Sequence, residues 1–143
     1  PLSFNTFSTK NVYQNCEIFE DALLDQHSGA NHQNLFDNIT VHITADKNNS
    51  FYLFGGGGAD YWKPSHGPFS TFWNLNVQVS NPDQAKPVLL YGIKDGAFAR
   101  IIGVHGNTKF EIKYDVDPYI EFLNTEIEKI PSLYEYQLKK RLE

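Results

Sequence analysis

Phe36-Asp37-Asn38-Ile39-Thr40-Val41 and Phe72-Trp73-Asn74-Leu75-Asn76-Val77 follow one pattern: aromatic, any residue, Asn, apolar, polar, apolar. Tyr13-Gln14-Asn15-Cys16-Glu17-Ile18 repeats it, and Ile101-Ile102-Gly103-Val104-His105-Gly106 gives a weaker copy with Gly in place of Asn. Positions 15, 38, 74 and 103 are separated by 23, 36 and 29 residues. Repeats of this length indicate a solenoid or a propeller. Each copy offers two or three short alternating runs between polar corners, which suits one coil of a parallel β-helix better than a four-stranded blade. Asn tolerates the left-handed backbone that a sharp corner needs, and Gly adopts it without steric cost. Stacked asparagines can also hydrogen-bond as a ladder. Ile39, Val41 and Ile43 share one parity, as do Leu75, Val77 and Val79, with Cys16 and Ile18 in the same columns. These residues are expected to face inward, while Thr40, His42, Asn76 and Gln78 face out. Cys16 is accordingly read as a buried core residue and not as a nucleophile.

Working outward, the 143 residues are enough for one core, so a single domain is expected over 1–143, with coils over 1–115 and a helical cap over 116–143. Net charge is −5 and the densest basic run is Lys139-Lys140-Arg141, so the chain lacks the footprint of a nucleic-acid binder. No apolar run is long enough for a membrane span, and none resembles the core of a signal peptide. The chain starts at Pro1 and contains no Met, which reads as a processed piece whose targeting segment is gone. One cysteine excludes a disulfide framework. Aromatics make up 15% of the chain, enough to fill a core and still offer flat surfaces to a ligand.

Two further registers support the repeat. Gly67-Pro68-Phe69-Ser70-Thr71-Phe72 aligns with Gly96-Ala97-Phe98-Ala99-Arg100-Ile101, and Phe51-Tyr52-Leu53-Phe54-Gly55 with Val88-Leu89-Leu90-Tyr91-Gly92. The copies differ by an insertion, Gly55-Gly56-Gly57-Gly58-Ala59-Asp60-Tyr61-Trp62-Lys63-Pro64-Ser65-His66. Four glycines hold no strand, so this segment is expected to leave the coil as a loop with aromatics at its far end. At the C-terminus, Asp117-Pro118 reads as the start of a helix running to Pro131, and Ser132-Leu133-Tyr134-Glu135 as a capping box opening a second. This helical tail is expected to cover the edge of the last coil.

Asp25-Gln26-His27-Ser28-Gly29-Ala30-Asn31-His32-Gln33-Asn34-Leu35-Phe36-Asp37-Asn38, Gly67 to Asn74, and Pro131-Ser132-Leu133-Tyr134-Glu135 carry a resemblance. They resemble an uncharacterised domain family found at the ends of secreted polysaccharide-associated proteins of Bacteroidota, in the pectate-lyase-like superfamily. The resemblance implies a right-handed parallel β-helix and a carbohydrate context, with no catalytic residue to transfer.

The residues themselves offer no serine-hydrolase elbow, and the glycine run is not followed by the Gly-Lys-Ser/Thr of a phosphate loop. His27 and His32 with Asp25 suggest a metal corner only weakly, and the scattered Asp21, Asp25, Asp60 and Asp95 lack the spacing of a calcium loop. Asp60 and Asp95 are the best carboxylates for a glycosidase, and Lys63, Arg100, His66 and His105 the bases for a lyase, but no spacing pairs them. Binding requires less. Flat aromatics receive the C–H face of a sugar, and His, Lys or Arg bond its rim, with cations favoring acidic or sulfated units. Tyr61, Trp62, Lys63 and His66 supply that mixture on the insertion, with Trp73 and Arg100 on the coil.

The sequence thus predicts a mainly β, short right-handed parallel β-helix of about four coils with a C-terminal helical cap. Its expected role is a noncatalytic carbohydrate-binding module, secreted or at the periplasmic or cell surface. Its expected partners are a polysaccharide and N-terminal β-helix coils or a catalytic domain of the same parent protein. No cofactor is expected, calcium being the one ion considered. The alternatives are a polysaccharide lyase or glycoside hydrolase fragment, and a structural cap of a longer solenoid.

Overall fold

Short alternating runs cannot bury a face alone, and here each is completed by its repeat in the next pass of the chain. The computed structural model describes residues 1–27, 30–56, 67–92 and 96–143. The first pass contributes β1 (Leu2–Asn5), β2 (Val12–Gln14) and β3 (Glu17–Ile18). The second contributes β4 (Leu24–His27), β5 (Leu35–Asp37) and β6 (Thr40–Ile43), and the third β7 (Ser50–Phe54), β8 (Thr71–Trp73) and β9 (Asn76–Val79). The fourth gives β10 (Val88–Gly92), β11 (Arg100–Ile102) and β12 (His105–Gly106). Then come β13 (Phe110–Lys113), β14 (Tyr119–Glu121) and, as the one helix among the described residues, α1 (Leu133–Leu142).

Every strand pairs in parallel with its counterpart one pass away. The orders are β14-β11-β8-β5-β2, β12-β9-β6-β3, β13-β10-β7 and β1-β4. Gly55 links the last two sheets, accepting from Gln26 N at 2.9 Å and donating to Leu24 O at 3.1 Å. The protein is therefore mainly β with parallel sheets.

The core lies between the faces. Tyr13, Phe36, Phe72 and Ile101 are in register across β2, β5, β8 and β11. The Phe36 and Phe72 rings stack 5.0 Å apart at 7°. Ile39, Val41, Leu75 and Val77 are fully buried, as their parity predicts. Burying each such side chain contributes about 1.5–3 kcal/mol.

The asparagine column forms as the repeat requires. Asn15, Asn38 and Asn74 have φ of 54°, 54° and 55°, and Gly103 has 77°. Asn38 Nδ2 donates to Asn15 Oδ1 at 2.8 Å, and Asn74 Nδ2 lies 3.4 Å from Asn38 Oδ1. Backbone bonds run beside the ladder, from Asn15 N to Asp37 O and from Asn38 N to Trp73 O.

The C-terminus departs from the sequence reading. No helix begins at Asp117. Tyr119–Glu121 is β14, which adds a fifth strand in register with Arg100–Ile102. Asp117 and Phe122 both take positive φ, at 47° and 52°, continuing two corner columns where helical backbone would be interrupted. After β14 the chain turns back over the outer face as a strap. Asn124 N donates to Val104 O, Ile127 N to Asn74 Oδ1, and Trp73 Nε1 to Ile130 O at 2.9 Å.

α1 is therefore not a cap over the last pass. It is seated against β5, where the Asp37 carboxylate accepts from Ser132 Oγ, Leu133 N and Tyr134 N. The predicted box exists in its N-cap half, with Ser132 Oγ accepting from Glu135 N at 3.1 Å. None of the helix residues is buried. Cys16, expected to be buried, is half-buried and packs against the edge of the core.

Candidate functional site

The repeat builds a second corner column, just before the five-stranded sheet. Lys10, Gln33, Phe69, Phe98 and Asp117 each stand two residues ahead of their strand, with φ between 47° and 58°. The passes are tied there by Gln33 N to Pro68 O at 3.0 Å and Phe69 N to Ala97 O at 2.9 Å. A bulky residue with positive φ is a genuine outlier, costing about 1–3 kcal/mol. Two phenylalanines bear that cost side by side. Their rings stack 5.2 Å apart at 16°, and they remain 45% and 61% exposed.

Arg100 opens β11 next to this pair and is exposed. Its register partner on β8 is Thr71, so Arg100 and Trp73 project from the same outer face of adjacent strands, one step apart diagonally. The structure thus brings these two predicted residues together. It also uses the Trp73 indole N–H to hold the strap. Tyr61, Trp62, Lys63 and His66 lie outside the described residues, as do Asp60 and Asp95. Gly67, the first described residue after the insertion, stands two positions before Phe69.

The other wall of the corner belongs to β1, β4, β7 and β10. Asp25 is nearly buried on β4 and holds two groups: Ser3 Oγ donates to its Oδ2 at 2.8 Å, and His27 Nδ1 bonds the same oxygen. On β7 and β10, Tyr52 and Tyr91 are register partners with ring centroids 5.5 Å apart. Tyr52 Oη donates to Gly56 O at 2.9 Å, at the described root of the insertion. Sequence reasoning did not select Phe69, Phe98, Tyr52 or Tyr91 as site residues, and it weighed Asp25 and His27 only as part of a weak metal corner with His32. The signal for the first pair was present in the aligned register that superimposes Phe69 on Phe98, whereas the register expected for the other set Tyr52 against Leu89 and Phe54 against Tyr91, and β7 is in fact shifted by two residues so that Tyr52 meets Tyr91.

Beneath the corner is a buried polar cluster. Gln26, Asn31 and Ser70 are fully buried. Ser70 Oγ has one proton and two acceptors, Gln26 Oε1 and Gly67 O, while Gln26 Nε2 reaches Tyr114 Oη at 3.4 Å. Burial pushes the Tyr114 hydroxyl pKa well above its ordinary value. Asn31 Oδ1 has no partner among the described residues. Gly67 makes the cluster feasible, since a Cβ there would overlap Gln26 Oε1, Asn31 Oδ1 and Ser70 Oγ.

His27 and His32 have separate partners. His32 Nδ1 donates to Ala30 O at 2.7 Å and its Nε2 lies 3.3 Å from Thr9 Oγ1. Among the described residues no group of three His, Cys, Asp or Glu side chains could hold a metal ion. No described helix is long and apolar enough to cross a membrane.

These features define a mainly β protein of stacked parallel strands with an aromatic and cationic outer corner. Residues 3–143 match the family described as a domain of unknown function, DUF4955, and the chain belongs to that family. No curated protein and no solved structure matches it.

Proposed function

We propose that the protein is a short right-handed parallel β-helix acting as a noncatalytic carbohydrate-binding module. It would serve a secreted or surface polysaccharide-degrading system and recognize an acidic or sulfated polysaccharide. The observation that carries this reading is the exposed, strained Phe69–Phe98 stack beside Arg100, at the root of the insertion bearing Tyr61, Trp62, Lys63 and His66. Stacked rings offer a sugar its apolar contact, and the guanidinium offers a charged hydrogen-bonding partner to carboxylate or sulfate. The pass-by-pass strand order supports the β-helix reading, as does the resemblance to the pectate-lyase-like superfamily of Bacteroidota. Leu2, Tyr13 and Cys16 of the first pass are only half-buried, which supports a preceding coil or catalytic domain of the same parent protein as a partner.

The test is affinity gel electrophoresis with a sulfated polymer. Trp62→Ala and Arg100→Ala should each weaken retardation about ten-fold, in line with about 1.4 kcal/mol, and leave the melting temperature unchanged. Unaltered retardation of both variants would refute the assignment of the corner. A polysaccharide lyase or glycoside hydrolase is the second reading, favored by the Asp25–His27 pair, in which a carboxylate orients an imidazole on the same outer face. Release of new chain ends by the intact protein, lost in His27→Ala, would establish it in place of simple binding. A structural cap would neither bind nor cleave.

A further inference from the structure

Where β3, β6 and β9 turn toward the next strands, the outer surface forms a groove of about 680 Å³. That is within the range of small-ligand sites. It is a different corner from the one that carries Phe69 and Arg100. We infer that this groove is a second carbohydrate site, and that it takes an uncharged, hydroxyl-rich sugar unit.

Phe19 supplies the platform. It is 68% exposed, yet its ring is held parallel to His42, 5.0 Å away at 9°. His42 is itself fixed, with Nε2 2.7 Å from Glu17 Oε1. An exposed ring immobilized from behind offers apolar area to a sugar face with little ordering cost on binding. The next residue in the His42 column is Gln78. One N–H of its amide is used on Asn76 Oδ1 at 2.6 Å, which leaves Oε1 as an acceptor and the second N–H as a donor for sugar hydroxyls.

The charge of the lining selects the ligand. Glu20 and Asp21 stand on the rim, and no Lys or Arg among the described residues lines the groove. Ionized carboxylates accept hydrogen bonds and donate none. The groove therefore suits a ligand that donates through hydroxyls, and it repels carboxylate or sulfate groups. This ligand class is opposite to the one proposed for the Arg100 corner, so the two sites are separable.

The test uses the intact chain in affinity gels containing a neutral soluble glucan, a neutral galactomannan, a sulfated galactan or chitosan. At least one neutral polymer should retard the protein equally at low and high salt, since no charge pairing is involved. Phe19→Ala should weaken that retardation at least ten-fold and Gln78→Ala should weaken it too, both with unchanged melting temperature. Arg100→Ala should leave it intact, and Phe19→Ala should leave retardation by the sulfated galactan intact. Failure of every neutral polymer, indifference to Phe19→Ala, or retardation by chitosan alone that high salt abolishes would each overturn the proposal. Loss of sulfated-polymer binding with neutral binding retained would instead remove the Arg100 corner and spare this one.

Discussion

Replacing Asp37 by Ala should detach the C-terminal strap and leave the stacked sheets in place. Asp37 is fully buried on β5, and its carboxylate accepts from Ser132 Oγ at 2.6 Å, Leu133 N at 2.9 Å and Tyr134 N at 3.0 Å. Hydrogen bonds to a charged group are each worth about 1.5–3 kcal/mol, and contributions at one site do not sum fully. A net loss of about 3 kcal/mol is therefore expected, roughly a 150-fold rise in the detached population. The remaining ties are weaker, a neutral bond from Gln14 Nε2 to Ser132 Oγ at 3.0 Å and the strap contacts to Trp73 and Asn74, while no residue of α1 is buried and a helix of ten residues is marginal in water on its own. Hydrogen exchange read by fragment should show amides of 133–142 losing protection about a hundred-fold, with those of β5 and β8 almost unaffected. Asp37→Asn should fall between, since its carbonyl can keep one donor while its amide group opposes another. Protection of α1 that survives Asp37→Ala within three-fold would mean that the Trp73 and Asn74 contacts alone hold the strap. A uniform loss of protection, sheets included, would refute the idea that the strap is a separable unit.

Val77→Asp should abolish cooperative thermal melting, because an unpaired charge at this fully buried site costs several kcal/mol, comparable with the stability of a whole domain. Asn38→Ala should cost about 2 kcal/mol in a urea titration, since it cuts the ladder and forces a Cβ residue to hold φ of 54°, and Asn38→Gly should cost measurably less. Alkaline pH should destabilize the fold through Tyr114: burial raises its pKa above the ordinary tyrosine value of 10.0, so the stability it contributes is present below about pH 10 and is lost as pH rises past that point. Tyr114→Phe should flatten that part of the stability profile measured by urea midpoints.

Much of the fold was legible because the left-handed corner restricts residue choice more than any other feature of the chain. Asn15, Asn38 and Asn74 mark one column directly, and the parity that follows each of them places Ile39, Val41, Leu75 and Val77 inside. The second column was harder to see, because Lys10, Gln33, Phe69, Phe98 and Asp117 share a conformation and no chemistry. Asp117-Pro118 misled for the same reason. An acidic residue before proline is a good helix start in isolation, but here it turns the chain into another parallel strand, and Phe122 occupies the corner where Asn or Gly would have revealed it. Of the candidate site, Trp73 and Arg100 were placed together by alignment alone, whereas the Phe69–Phe98 stack needed the ring positions to be recognized as a surface.

The strap explains the one glycine of the asparagine column. At Gly103 a side chain would overlap the Ile127 Cδ1 atom of the strap, so the fourth corner needs Gly for space as well as for its φ of 77°. One pass earlier the requirement reverses. Asn74 Oδ1 accepts from Ile127 N at 2.9 Å, and its Nδ2 reaches Pro131 O at 3.1 Å, so its side chain stitches the strap down while its backbone turns the corner. The apolar spacing of Ile127 and Ile130, which resembles a helical stripe, serves a chain crossing the outer face, where Ile127 packs over Gly103 and the Ile130 carbonyl accepts from Trp73. Local periodicity alone could not distinguish these uses, because the deciding partners of Ile127 and Ile130 lie more than twenty residues away in different passes. The ladder therefore does two things at once: it sets the turn of each pass, and at its last two positions it forms the track along which the C-terminus is held.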